Sequence, residues 1–454
     1  MRLRVVLVLT ASIFLSDAFA QTPSRYTLKQ VLELALQQNA NIARAKYDYQ
    51  EGEQKTREVK SAALPQVNIS GDVTNNVIRQ AFVFPAKMAD PNAGEDDYLV
   101  LRAGMQHSAT ATLQATQQIF NQSVFTGIKA AKVSEEYYRN NIERTEEEVI
   151  QQTSSLFYQV ASMQAQRNVI ETNLEQTKKN LDITTSRFEN GVARKLDVDR
   201  LKVNVTNLQT QLRSVDDAFS SLTNQLKLVA GMDINTPLEV AEPLIEASQD
   251  YQIDASLTAG DWAFENKIEF RQLSTQLELY DLERKSFSSG YFPTLSLFGN
   301  YSYTAQSNDF FLKSGINPLT FDIASIGLRL SIPVFDGFNK SAKVQQSKIH
   351  RMKTENDMAF TRQQSNMEFV NSVKSYETSF ESYEAQKANV ELANSVYDVT
   401  LQNYNEGVSS LTDLLQAESS RIQAQNQLIE ALLKVKQAEV ALLKSKGEIK
   451  NLLN

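Results

Sequence analysis

Two stretches, residues 121–190 and 337–406, contain no proline and carry a large apolar residue every seven positions. In the second these are Phe369, Tyr376, Tyr383, Val390, Tyr397 and Tyr404; in the first, Ile142, Val149, Leu156, Met163 and Ile170, followed by Leu174, Leu181 and Phe188. A sustained period of seven is a coiled-coil seam, and a helix of about 70 residues is roughly 105 Å long. The stripes, Tyr376 included, read as packing rather than as a cofactor site. Shorter helical patterns run over 28–63 and 195–229, each near half that length, so two short helices end to end match one long one.

Between the helices the period drops from seven to two. Ala109, Ala111, Leu113, Ala115 and Ile119 alternate with Thr110, Thr112, Gln114, Thr116 and Gln118; Ile326, Leu328, Leu330, Ile332 and Val334 alternate with Ser325, Gly327, Arg329 and Ser331. Upstream of each lies a second alternating strand, with Val67, Ile69 and Val73 in one and Leu295, Leu297, Tyr301 and Tyr303 in the other. A soluble sandwich produces this pattern, and so does a transmembrane barrel with lipid outside and a polar lumen inside. Periodicity alone does not separate the two; counting does better. Four strands leave two open edges, and the smallest membrane barrels have about eight strands, so several chains must each contribute four to one shared barrel. Tyr98, Tyr301, Tyr303 and Phe311 near the strand ends suit an aromatic girdle. Residues 81–105, with Pro85, Pro91, Gly94 and the acidic run Glu95-Asp96-Asp97, read as a long outer loop without a site, and 306–320 as a shorter one.

The pattern occurs twice. Ser61-Ala62-Ala63-Leu64-Pro65 answers to Ser289-Gly290-Tyr291-Phe292-Pro293, and Gln118-Ile119-Phe120-Asn121 to Pro333-Val334-Phe335-Asp336. The turn Phe188-x-x-Gly191 answers to Tyr404-x-x-Gly407, with Asp197 as far past its glycine as Asp413 is past its own. A duplicated unit explains this order: a first repeat over 21–230, a linker over 231–262 in which Leu238-Glu239-Val240 is a short strand, and a second repeat over 263–454. Trp262, the sole tryptophan, is assigned to packing.

Residues 1–20 read as a cleaved signal peptide, with Arg2 and Arg4, an apolar run and Ala18-Phe19-Ala20 before Gln21. The chain has no cysteine, which excludes disulfides, a thiol nucleophile and a lipid-bearing cysteine. Beyond the signal no apolar run is long enough for a transmembrane helix, so membrane insertion requires a barrel. A net charge of −8 without a basic patch argues against nucleic acid. His107 and His350 lack a second ligand at helical spacing, and neither G-x-S-x-G nor a P-loop is present, so no catalytic residue, metal ligand or cofactor site is expected.

The signal, the duplicated strand-strand-long-helix units and the paired hairpin motif Phe188/Gly191/Asp197 with Tyr404/Gly407/Asp413 resemble the TolC-like outer membrane efflux proteins, over about Tyr26 to Leu443. The resemblance implies a mostly α fold with a transmembrane β-barrel: a homotrimer whose twelve-stranded barrel sits in outer membrane lipid and continues as a periplasmic helical tube. It implies an outer membrane exit duct of a tripartite efflux or type I secretion system, served by a periplasmic adaptor and an inner-membrane pump of the RND, ABC or similar class. It also places a constriction at the periplasmic tips, at Phe188, Gly191, Asp197, Tyr404, Gly407 and Asp413. A structural role stands beside that one: the glycines suit helix C-caps, and Ser410 with Asp413 suits a capping box. The chain departs from some relatives at Ser409 and Gln416, where a basic and a further acidic residue can occur; Arg194 and Lys195 are candidate substitutes for the basic partner. A periplasmic adaptor and a soluble coiled-coil scaffold are the alternative readings; the first would carry one hairpin rather than two, and the second would not need the four strands.

Overall fold

The computed structural model describes residues 24–241 and 262–453. The signal segment and most of the linker fall outside the described residues. In chain order the elements are β1 (Ser24–Tyr26), α1 (Leu28–Gln38), α2 (Ala40–Ser61), β2 (Gln66–Asn75), β3 (Ala81–Pro85), β4 (Tyr98–Arg102), β5 (His107–Phe120), α3 (Gln122–Glu189), α4 (Lys195–Ala230) and β6 (Leu238–Val240). There follow α5 (Ile268–Ser289), β7 (Thr294–Ser307), β8 (Leu319–Ser331), α6 (Asn339–Asn405) and α7 (Leu411–Lys446). The long helices α3 and α6 have 68 and 67 residues. The chain forms two compact units, one built from Ala45–Ile142 with Ile268–Arg362 and the other from the remaining described residues.

The strand-bearing unit holds a four-stranded antiparallel sheet in the order β2-β5-β7-β8. Directly paired residues share a face. Rows such as Ile69, Leu113 and Tyr301, or Leu297 and Leu328, therefore make one face apolar. Asn68, Gln114, Asn300 and Ser325 share the other, on which Thr112 bonds Ser302 at 3.0 Å and Thr110 bonds Thr304 at 3.2 Å. A register slip between Gln118 and Phe120 sets Phe120 against Leu295, so the expected alternation at Ile119 does not hold. Strand β8 ends at Ser331, short of Ile332 and Val334.

The expected outer loop 81–105 is instead largely a β-hairpin, β3 paired with β4. It prolongs the β2–β5 ribbon, since Asn76 N–H donates to the Gln106 carbonyl (2.7 Å) and Ala103 N–H to that of Gln80 (3.1 Å). The helices of this unit meet through small and polar contacts. Thr56 Oγ1 donates to the Ala131 carbonyl (3.2 Å) between α2 and α3, and Asn140 Nδ2 to Thr275 Oγ1 (3.1 Å) between α3 and α5.

In the other unit β1 pairs in parallel with β6, and the core gathers Val31, Ile42, Val149, Phe157, Leu226, Leu432 and Val435 around the fully buried Tyr376 and Tyr383. Trp262 stacks between Phe264 and Phe369. The expected helix 28–63 is two helices, because Asn39 leaves the helical conformation and its Oδ1 accepts from Asn41 and Ile42 N–H (2.8 and 3.3 Å), capping α2. Its Nδ2 donates to the Val229 carbonyl (2.7 Å). The heptad reading of α6 agrees with burial at Tyr376, Tyr383 and Tyr397, with Phe369, Val390 and Tyr404 half-buried.

That of α3 agrees only in part. Val149, Ile170 and Leu174 are buried, but Leu156, Met163 and Leu181 are half-buried and Phe188 is exposed. Burial shifts to Phe157, Val160, Ala161 and Ala165 and to a flank of Thr153, Ser162, Asn173, Thr177 and Thr184. A straight helix drifts about 20° per heptad against a seven-residue repeat, and α3 bonds to α4, α6 and α7 together, so its contact face is wider than one seam.

Candidate functional site

The two hairpins close alike. After α3 the Arg187 carbonyl accepts from Val192 and Ala193 N–H (2.8 and 3.2 Å); after α6 the Asn403 carbonyl accepts from Val408 and Ser409 N–H (2.8 and 3.3 Å). Gly191 and Gly407 both sit at φ 78°, the left-handed helix-ending conformation in which a side chain is strained. No atom lies within 4 Å of a Cβ built at either position, so conformation rather than crowding asks for glycine.

The next helices begin differently. At α7 Ser410 and Asp413 form a reciprocal capping box: Ser410 N–H and Oγ donate to Asp413 Oδ2 (3.0 and 2.7 Å), and Asp413 N–H donates to Ser410 Oγ (3.3 Å). The Ser410 hydroxyl, then its amide, hold the Asp413 carboxyl below the ordinary carboxylate range. At α4 the cap position is Arg194, which has no hydroxyl to return. Arg194 Nε instead donates to Asp197 Oδ2 at 3.2 Å, leaving Oδ1 buried and without a hydrogen-bond partner among the described residues. Arg194 is thus paired with Asp197 inside its own hairpin.

Tyr404 and Phe188, equivalent in sequence, also diverge. Tyr404 is half-buried against Leu201, Tyr397, Leu411 and Leu414, with its hydroxyl 3.4 Å from Thr184 Oγ1. Phe188 is 40% exposed and outside that cluster.

Close in sequence to Asp413 stands a polar cluster that sequence reasoning missed. Glu418 is 2% exposed; Thr177 Oγ1 lies 2.5 Å from its Oε1, and Asn204 Nδ2 donates to its Oε2 at 3.1 Å. Arg421, one turn on, donates to Asn173 Oδ1 (2.5 Å) and lies over the Tyr397 ring at 3.6 Å. The cluster thereby joins α3, α4, α6 and α7. Burial pushes the Glu418 carboxyl up, and the Thr177 hydrogen bond, the Arg421 charge and the Asn204 amide offset this only in part. Burial likewise raises the Tyr397 phenol. A signal existed: Leu411, Leu414 and Glu418 follow helical spacing, which sets a carboxylate on an apolar stripe, with Arg421 one turn on.

Among the described residues no group of three or more His, Asp or Glu could hold a metal ion, and no helix is long and apolar enough to cross a membrane. The latter says nothing of a barrel.

A four-stranded sheet whose edges are unpaired among the described residues, and long helices that turn at glycine-closed hairpins, are the elements of a channel protomer. The chain belongs to the outer membrane efflux protein family, whose model matches residues 31–232 and 261–448. It is 21% identical over 440 residues to the outer membrane protein TolC of Salmonella enteritidis, covering 95% of this chain and 84% of that one. It is 24% identical over 420 residues to the alkaline protease secretion protein AprF of Pseudomonas aeruginosa, covering 88% and 79%. The fold matches the crystal structure of the outer membrane protein VceC from Vibrio cholerae with a TM-score of 0.69, at 15% identity over 92% of this chain and 96% of that one.

Proposed function

We propose that three copies of this chain close one twelve-stranded barrel in the outer membrane and one helical tube in the periplasm, forming the exit duct for solutes delivered by an inner-membrane pump through a periplasmic adaptor. The observation that carries this reading is the β2-β5-β7-β8 sheet, whose two edges are unpaired among the described residues. Edges in a bilayer must be closed, and three such sheets give a barrel in the family's size range. The apolar face then meets lipid and the Asn68-Gln114-Asn300-Ser325 face lines the lumen. Family membership and the secretion role named for AprF support export as the task.

The repeats 21–230 and 263–454, joined by 231–262, are read as copies of one unit, supported by the shared hairpin geometry. Phe188, Gly191, Asp197, Tyr404, Gly407 and Asp413 are assigned to a constriction at the periplasmic tips. A permanently open duct would breach the outer membrane, so the resting duct is closed, and adaptor and pump favour the open state by binding it better. Carboxylates repeated around a three-fold ring make such a constriction cation-preferring.

Native mass measurement of the detergent-extracted outer membrane protein, with single-channel recording in a planar bilayer, tests this. A trimer with a rarely open, cation-preferring pore is expected; a soluble monomer, or a trimer that never conducts, overturns the duct.

A further inference from the structure

We infer that the β3–β4 hairpin of one protomer packs against the outer end of β8 in a second copy of this chain, forming an apolar collar at the external mouth; the inference rests on the trimeric duct proposed above. Two features that the duct leaves unexplained carry it.

The first is a reversal of polarity along β8. On the face lined by Ser325, Gly327, Arg329 and Ser331, the strand's outer half instead carries Leu319, Phe321 and Ile323. The opposite face exchanges in step, from Ile326, Leu328 and Leu330 to Thr320 and Asp322. No bulge interrupts the β7–β8 register from Thr294/Ser331 to Gln306/Leu319, so the exchange is written in the sequence and not produced by a slip. The Tyr301 hydroxyl lies 3.3 Å from Asp322 Oδ2 on the lipid side, which suits the membrane–water interface. Phe321 and Leu319 therefore stand at or beyond the outer headgroups on the lumen side, where a water-filled exit gives no reason for apolar side chains. Ile323 and Leu319 are 60% and 57% exposed within the single chain.

The second feature is the hairpin. Its register pairs Phe82 with Leu101 and Phe84 with Leu99 on one face and Val83 with Val100 on the other, so both faces are apolar. Phe82, Val83, Tyr98, Val100 and Leu101 are all exposed. A two-stranded ribbon is at best marginally stable alone in water, and one with two apolar faces needs a covering surface.

Topology brings the features together across one seam. The helices join β2 at Gln66 and β8 at Ser331, so Asn75 and Leu319 are the ends pointing away from them. β2 runs outward and β8 inward, and these are the two free edges. Closing the barrel pairs β8 of one copy antiparallel with β2 of the next, side by side at their outer ends. The hairpin, a direct continuation of the β2–β5 ribbon, then stands next to the neighbour's Leu319, Phe321 and Ile323. A second copy of the chain is the occupant because this contact continues the seam that closes the barrel.

The chain contains no cysteine, so pairs can be introduced against a silent background. The full-length double variants Phe82→Cys/Phe321→Cys and Val83→Cys/Ile323→Cys, each with its single-cysteine controls, are treated with a short bismaleimide in outer membranes. Interchain products up to a covalent trimer are expected from at least one pair and none from the singles. In addition, Phe82→Ser/Phe84→Ser should raise labelling of an introduced cysteine at Ile323 by a membrane-impermeant maleimide several-fold. A native trimer that yields no interchain product, or only an intrachain one, overturns the collar and leaves the duct standing. Fluorophores attached to hairpin cysteines and quenched by lipid-borne quenchers would assign the hairpin to the bilayer and overturn it equally. Absence of a native trimer removes the duct reading, and the collar with it.

Discussion

Glu418 offers the sharpest test of how the hairpin-bearing ends are held. Thr177 has one hydroxyl proton but two acceptors in reach, the Asn173 carbonyl at 2.8 Å and Glu418 Oε1 at 2.5 Å. A protonated Glu418 resolves the conflict by donating a hydrogen bond to Thr177 Oγ1, which donates its own to the Asn173 carbonyl. The raised carboxyl agrees with this. The groups that face it are Arg421 from its own helix, Asn173 and Thr177 from α3 and Asn204 from α4, with Tyr397 of α6 under Arg421.

Because the native group holds its proton more tightly than the unfolded one, its stabilising contribution is full below the ordinary glutamate range. It is lost as pH rises through the elevated native value. Glu418→Gln supplies a permanent donor toward Thr177 and an acceptor for Asn204, so it should remove this pH dependence. Glu418→Ala orphans the Asn204 amide, at about 1–3 kcal/mol, and removes a buried methylene, at about 0.8 kcal/mol. The loss is roughly 2–4 kcal/mol per protomer, against almost nothing for the exposed control Glu384→Ala. Calorimetric melting of the purified protein across a pH series measures both, and subtracting Glu418→Gln from wild type cancels every other titrating group. Wild type should lose ground to Glu418→Gln as pH rises. A flat or opposite difference, or a Glu418→Ala variant no less stable than the control, would refute the reasoning.

Leu328→Lys should reduce trimer assembly, by about 2–4 kcal/mol per chain if the site lies near the bilayer midplane, whereas Thr112→Lys should assemble normally; equal yields on native gels would sink the facing assignment. Tyr383→Ala removes a fully buried ring, at about 3–5 kcal/mol, and should lower the melting temperature with the cargo range unchanged; altered cargo at unchanged stability would contradict its packing role. Asp413→Asn should weaken cation preference in single channels. Because the Asp413 carboxyl is held low, its capping contribution is present above the ordinary aspartate range and lost as pH falls through the depressed value, a dependence the Asn variant should lack in melting curves. Tyr404→Ala should raise open probability and the entry of large antibiotics, and unchanged exclusion would place the constriction elsewhere.

The rods and the sheet were legible because proline, glycine and period mark them: 121–190 and 337–406 against Gln122–Glu189 and Asn339–Asn405. The β3–β4 hairpin was not. Phe82-Val83-Phe84 and Leu99-Val100-Leu101 are apolar on both faces and so show no alternation, and Pro85, Pro91 and Gly94 look like loop punctuation. On α3 the second flank is Ser, Thr and Asn, which a search for apolar periodicity passes over. Asp197 and Asp413 look equivalent from their spacing to glycine. What separates them is the cap residue three positions earlier, arginine in one hairpin and serine in the other. Glu418 escaped because a helical carboxylate is usually solvated, and only its place in a Leu-lined stripe argued otherwise.

The distribution of contact types along α3 and α6 bears on where the proposed opening can occur. Around Tyr376 and Tyr383 the helices are joined by buried rings and aliphatic side chains, and separating them exposes apolar area with nothing to replace it. Toward the hairpins the apolar cluster is smaller, Leu201, Tyr397, Leu411, Leu414 and Ala417, and hydrogen bonds join the helices beside it: Asn173 to Arg421, Thr177 to Glu418, Asn204 to Glu418, Arg200 to Thr412 and Thr184 to Tyr404. Water can replace such bonds once the helices part, so each contributes only about 0.5–1.5 kcal/mol net. We propose that the hairpin-bearing ends, with the smaller apolar cluster, are where the helices part, and that the aromatic section is the anchor. The variants already named separate the two roles. Tyr383→Ala should destabilise without opening the pore, and Glu418→Ala should do both; a Tyr383→Ala pore that opens as readily as the Glu418→Ala pore would break the division.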